Sequence, residues 1–202
     1  MSILNVFITP ESGLVGVDTE AVGLRDSVIF ESCKLVAAPL TNSVIAFRGT
    51  DYLLKALMAN IVCFGGTLEE MLEGIPELLK ASADYCRKHF QAEEEALGLE
   101  MVIVGYSQAE GCVVGHLYRR AVGSEDIQVD RIPYRYRSPF WSAEDFPSGL
   151  TDDRAGMEML ARHQSRLARE RKPDFAAGGR FLIAEVRQHI VSIEKAFDFP
   201  SR

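Results

Sequence analysis

Ser107 stands in the stretch Val104-Gly105-Tyr106-Ser107-Gln108-Ala109-Glu110-Gly111, which begins like the Gly-x-Ser-x-Gly elbow that exposes a nucleophilic serine between a strand and a helix. Here Gln108 and Ala109 are followed by Glu110, and the apolar pattern beyond predicts a hairpin instead of a helix, so Ser107 reads as a turn serine. His89, His116, His163 and His189 are dispersed over a predicted helix, strand, helix and turn with no carboxylate or cysteine at ligand spacing. No metal and no cofactor is expected from them. Cys33, Cys63, Cys86 and Cys112 form no CxxC pair and lie in apolar or helical stretches. With no secretion signal ahead of them, they read as reduced core residues of a cytoplasmic protein. One further hydroxyl is conspicuous by position: Ser2 directly follows Met1 at the head of the first apolar run, with no charged leader or apolar targeting segment before it.

The elements that must position these residues follow from periodicity. Ile3 to Ile8 and Leu14 to Val17 flank Thr9-Pro10-Glu11-Ser12-Gly13, and the Pro and Gly supply the fixed and the permissive φ of a reversal. Ser27 to Val36 and Ser43 to Phe47 read as two more strands around a turn marked by Pro39 and Asn42. Beyond Arg48-Gly49-Thr50-Asp51 the period changes, and Leu53, Leu54, Leu57, Met58 and Ile61 recur at helical spacing up to Gly65-Gly66. Thr67 and Glu70 have capping-box spacing for a second helix running toward Glu95, which Pro76 is expected to kink or divide.

Met101 to Arg120 predicts a hairpin around Ser107 to Gly111, and Ile127 to Tyr136 a further strand. A loop over 138–152, containing Trp141 as a core or interface candidate, precedes a basic amphipathic helix from about Asp153 to Arg171. Its arginines Arg162, Arg166, Arg169 and Arg171 read as a solvated face. A strand pair turning near Gln188-His189 closes the chain. Runs of strands alternating with runs of helices predict an α+β fold, a four-layer αββα sandwich of two antiparallel sheets with helices on both outer faces.

Composition sets limits on function. A chain of 202 residues with 47% hydrophobic content can bury one substantial core, and a single domain over 1–202 is expected. The formal net charge of -7 argues against general binding to nucleic acid or anionic membrane, since phosphate rewards clustered Lys and Arg. No apolar run approaches the roughly 20 residues that would span a bilayer.

The opening hairpin, Gly16-Val17-Asp18-Thr19-Glu20-Ala21, Lys34, Phe47-Arg48-Gly49-Thr50-Asp51 and Asp174-Phe175-Ala176-Ala177-Gly178-Gly179 occur in an order that resembles the proteasome β subunits and the bacterial peptidase of the ATP-dependent two-component protease. Both are N-terminal-nucleophile hydrolases, and the resemblance covers nearly the whole chain. It implies that removal of Met1 places Ser2 at the nucleophile position, with Asp18 lying 16 and Lys34 lying 32 residues further on. A hydroxyl is a poor nucleophile near neutral pH, and the free α-amine of the same residue, with a reference pKa of about 8, is a suitable base. By the same resemblance Lys34 sets a cation beside hydroxyl and amine, Asp18 keeps Lys34 charged, Gly49 offers a backbone N–H to the oxyanion, and Asp174 supports the site. A peptide or protein substrate, a homo-oligomeric ring and a larger assembly partner are implied as well. Specificity is expected from side chains near Ala21, Phe30, Ala46 and Thr50.

The sequence departs from that pattern in two supporting hydroxyls. One falls at about Tyr136, with Ser138 close by, and the other at Ala177. The nucleophile is Ser where these families use Thr. Two functions are therefore carried forward: an N-terminal-serine peptidase or amidohydrolase, and a catalytically silent subunit of a larger assembly in which Ser2 is an ordinary second residue, Asp18–Lys34 a structural ion pair and Gly49 a helix-entry turn.

Overall fold

The computed structural model describes residues 2–22, 28–61, 66–140, 142, 146–171 and 177–200. Among these the chain forms an α+β fold. Six strands come first: β1 (Leu4–Ile8), β2 (Gly13–Asp18), β3 (Glu20–Val22), β4 (Ile29–Glu31), β5 (Leu35–Ala38) and β6 (Ser43–Arg48). Helices α1 (Asp51–Ile61) and α2 (Leu68–Phe90) follow, then β7 (Leu99–Ser107), β8 (Cys112–Arg120), β9 (Ile127–Arg131) and β10 (Arg135–Ser138). Helix α3 (Arg154–Arg171) and the hairpin β11 (Arg180–Arg187) and β12 (Ile190–Asp198) complete it. One sheet has the order β10-β1-β2-β11-β12, a second β5-β6-β7-β8-β9, and β3 pairs with β4 alone. All these pairings are antiparallel.

Strand β1 shows why its sequence is an apolar run and not an alternation. Leu4 and Val6 pack with Val15, Val44, Val102 and Val104 in a core shared by the two five-stranded sheets. Ile3 and Phe7, on its other face, pack with Met157, Leu160 and Phe181 beneath α3. A strand buried on both faces loses the polar half of its period. Asn5 is the exception, and it is matched: its amide and that of Gln164 in α3 exchange hydrogen bonds of 2.7 and 3.1 Å, both side chains fully buried. Helices α1 and α2 bury Leu57, Met71 and Leu79 against Met101, Ile103 and Tyr118 of the second sheet.

Four expectations change. The run Ser27 to Val36, described from Val28 on, is not one strand: the chain leaves β4 at Ser32, passes Cys33, and joins the other sheet at Lys34, whose carbonyl bonds to β6 just ahead of β5. Ile127 to Tyr136 is likewise broken, by Pro133, into β9 and β10 of different sheets. Pro76 does not divide α2, which runs unbroken to Phe90. Proline removes the N–H that would bond the carbonyl four residues back, and that carbonyl, of Leu72, instead accepts a 3.1 Å bond from the Tyr118 hydroxyl. The helix stops short of Glu95 because Gln91 takes a left-handed conformation, φ 51°, and a short 3-10 turn covers Glu94–Leu97.

The Thr67–Glu70 capping box is present in full. The expectation of buried cysteines holds for Cys86, whereas Cys33 is exposed and Cys112 half-buried; Cys63 and Trp141 lie outside the described residues. Among the described residues no helix is long and apolar enough to cross a membrane, and no group of three His, Cys, Asp or Glu side chains is placed to hold a metal ion.

Candidate active site

Three elements bring three distant residues together. Pairing of β1 with β2 sets Leu4 opposite Val17, so Ser2 lies beside the end of β2, where Asp18 stands. Lys34 precedes β5 in the second sheet, its carbonyl accepting from the Phe47 N–H at 2.9 Å, and its side chain crosses toward the first sheet. Lys34 Nζ donates to Ser2 Oγ at 2.8 Å, to Asp18 Oδ1 at 3.2 Å and to the Glu20 carbonyl. An ammonium has three donors, and here all three have acceptors.

Asp18 is fully buried. Its Oδ1 also accepts from the Ile3 N–H at 2.8 Å, and its Oδ2 from the Gly178 N–H at 3.3 Å. The first of these bonds fixes the backbone directly behind Ser2. Burial pushes the Asp18 carboxyl above its ordinary range, with Lys34 and the two backbone donors pulling it back. Burial likewise pushes the Lys34 ammonium down, against the attraction of Asp18, and the nearby Arg48 charge pushes the same way. Ser2 therefore shares its hydrogen bond with a cation that gives up its proton more readily than a free lysine. Charged, Lys34 stabilises negative charge on Oγ; neutral, its lone pair can accept the Oγ proton.

The other expected site residues separate. Gly49 follows β6 and lines the same groove as Ser2 and Lys34. A Cβ on it would lie 2.7 Å from the Phe47 ring and 3.3 Å from the Gly98 carbonyl, so the turn needs glycine for packing. Asp174 lies outside the described residues. Ala177 is buried, and its carbonyl accepts from Ser165 Oγ at 3.0 Å. The Ser138 hydroxyl is occupied by Glu100, to which it donates at 3.0 Å, and by Arg48. Tyr136 is half-buried, its hydroxyl pushed up to about 12 by burial and the Glu100 charge. Of the expected specificity residues, Ala21, Phe30 and Thr50 line the groove. Ala46 does not: it is fully buried in the core between the sheets.

The cluster of Arg48, Glu100 and Ser138 went unread in the sequence. Arg48 and Glu100 pair across β6 and β7, where they stand directly opposite in register. Two opposite charges, each at an end of its apolar run, were the available signal, but the antiparallel register that joins them was not.

The arrangement sets a Ser–Lys–Asp cluster where the two five-stranded antiparallel sheets of an α+β fold approach each other. No protein-family model matches the chain, and no curated protein matches it. Among solved structures, the Gly-1 mutant of Anbu from Hyphomicrobium sp. strain MC1 is similar over 98% of this chain and 89% of its own, with TM-score 0.68 and 10% identity. Anbu, described as an ancestral β subunit, from Yersinia bercovieri is similar over 96% of this chain and 86% of its own, with TM-score 0.65 and 9% identity. These neighbours correct the assignment to the proteasome β subunits or the two-component peptidase. The similarity found is to Anbu chains, and at this identity it is a likeness of fold.

Proposed function

We propose that the chain is an N-terminal-serine hydrolase that cleaves amide bonds of peptide or protein substrates after removal of Met1. The observation that carries this reading is the 2.8 Å contact of Lys34 Nζ with Ser2 Oγ, backed by buried Asp18. Ser2 Oγ attacks the amide carbonyl while its proton passes to the freed α-amine or to neutral Lys34. That proton then goes to the departing amine, and water hydrolyses the resulting ester, returning the hydroxyl. The Gly49 N–H, on the turn after β6 that lines the groove with Ser2 and Lys34, is the candidate donor to the oxyanion, and Asp174 is the candidate support for the amine.

Packing of α1 and α2 on one sheet, of α3 on the other, and of the two sheets on each other supports a four-layer αββα sandwich and a single domain over 1–202. A cytoplasmic homo-oligomer, ring-shaped and open to an assembly partner, belongs to the same reading. A second reading, a silent structural subunit, is favoured by Ala177, which brings no hydroxyl, and by Ser138, whose hydroxyl is held by Glu100.

The test is hydrolysis of a fluorogenic peptide library by the Met1-processed protein. Ser2→Ala should lower turnover at least about 10³-fold, as loss of a nucleophile does, and Ser2→Thr should retain it. Equal rates in wild type and Ser2→Ala overturn the reading.

A further inference from the structure

The groove that begins at Ser2 is larger than the proposed chemistry needs. Its volume is about 1880 Å³, whereas sites for small molecules occupy roughly 300–1,000 Å³. It leads away from the reacting hydroxyl along a traceable path. Ser32 Oγ, two residues before Lys34, donates to Asp51 Oδ1 at 2.9 Å at the start of α1. The next residue, Tyr52, meets the Phe90 ring with centroids 5.8 Å apart.

Phe90 is the last residue of α2, left at the helix end by the left-handed turn at Gln91. Tyr85 packs on the same side, 4.3 Å from the His89 ring and 5.9 Å from Phe90. These rings are not sealed in the core. Phe90 and Val122, which both line the groove, are 46% and 58% exposed, and Tyr85 backs Phe90 from outside the groove lining. Apolar surface of this kind inside a groove, rimmed by Lys55, Glu93 and Asp126, has the composition of a site that takes an apolar anchor.

We propose that the Tyr52–Phe90 end of the groove is a docking subsite for an aromatic or branched apolar side chain of an extended polypeptide whose scissile bond lies at Ser2. The assignment of that bond rests on the hydrolase reading above; the occupant is set by the continuity of the groove with Ser2 and by its size. Rate and affinity then depend on a residue remote from the cleaved bond, and short amides that cannot reach Phe90 bind poorly.

The experiment uses the full chain carrying Ser2→Ala, which cannot turn over, and fluorescein-labelled Gly/Ser peptides of about twelve residues, at about 3.3 Å per extended residue long enough to span the groove. One peptide has a single Phe and the other none. By fluorescence anisotropy the Phe peptide should bind about tenfold tighter, the range of an aromatic anchor. Phe90→Ala and, independently, Tyr52→Ala, which removes the ring facing Phe90, should remove that difference, Phe90→Leu should keep part of it, and the native mass should not change. Equal affinity of the two peptides, or a difference that persists in Phe90→Ala, overturns the subsite. So does dissociation of an oligomer by Phe90→Ala, which would assign the rings to contact between copies. Phe90-dependent binding together with no hydrolysis by the Ser2 protein supports the subsite and overturns only the hydrolase reading.

Discussion

Replacing Lys34 by Met separates the electrostatic part of the site from its packing. Met keeps most of the side-chain volume and removes the charge, which leaves the fully buried Asp18 with the Ile3 and Gly178 N–H donors but no cation. Removing one partner of a buried pair costs about 3–5 kcal/mol, because the remaining charge is desolvated and uncompensated. Both side chains are too buried for solvent screening to reduce this much, at 7% and 0% exposure. At about 2–4 °C per kcal/mol for a chain of this size, the melting temperature should fall by roughly 6–20 °C.

The sign of the pH dependence is a second check. The folded pKa of Asp18 is raised, so its contribution to stability is complete below its unfolded value and lost as pH rises through the folded one. Without Lys34 that pKa rises further. Lys34→Met should therefore regain stability on acidification from pH 8, and the gap to wild type should narrow. Adding Asp18→Asn to Lys34→Met should restore more than half of the loss at pH 8. Urea midpoints at pH 8 and pH 5, with unchanged m, measure all three. A Lys34→Met protein within about 1 kcal/mol of wild type at pH 8 and flat in pH would refute the reasoning, since Asp18 would then not be a buried, ion-paired carboxylate.

Other perturbations follow from the same geometry. Asn5→Ala leaves Gln164 Oε1 buried without its donor, while Nε2 keeps the Pro139 carbonyl, and should cost about 1–3 kcal/mol in urea titration; the double change Asn5→Leu, Gln164→Leu should recover only part of it, because the Pro139 carbonyl then loses its donor. Gly16→Ala sets a Cβ 2.5 Å from the Phe181 ring and 2.7 Å from Met157 Sδ, and thermal melts should show a loss of about 1–3 kcal/mol. Because the Lys34 pKa is lowered from 10.5, hydrolysis should rise with pH along a limb below that value as the amine loses its proton. Lys34→Arg, which stays protonated, should remove the Lys34 part of that limb in a pH–rate profile and leave only the part set by the freed Ser2 α-amine, with its reference pKa of about 8.

Local patterns carried much of the fold. The β1–β2 reversal, the change to helical period at Asp51, the Thr67–Glu70 cap and the β7–β8 turn at Ser107 each depend on residues within a few positions of one another. What escaped was decided at a distance. Nothing near Pro76 announces that Tyr118, from another element, will satisfy the Leu72 carbonyl. Nothing in Ser32-Cys33-Lys34 announces that the chain changes sheets there, although that change is what carries Lys34 across to Ser2. The trio Ser2, Asp18 and Lys34 was found through the order of its motifs and comes together in space. Arg48 and Glu100 were missed because their meeting depends on strand register.

Intact-mass spectrometry of the purified protein, before and after exposure to an electrophile selective for N-terminal hydroxyl nucleophiles, tests the central claim most directly. The account predicts a chain lacking Met1 that gains one adduct, with no adduct on Ser2→Ala. A chain that retains Met1 and gains none would contradict it, and the Ser2–Lys34 contact would then belong to a structural subunit.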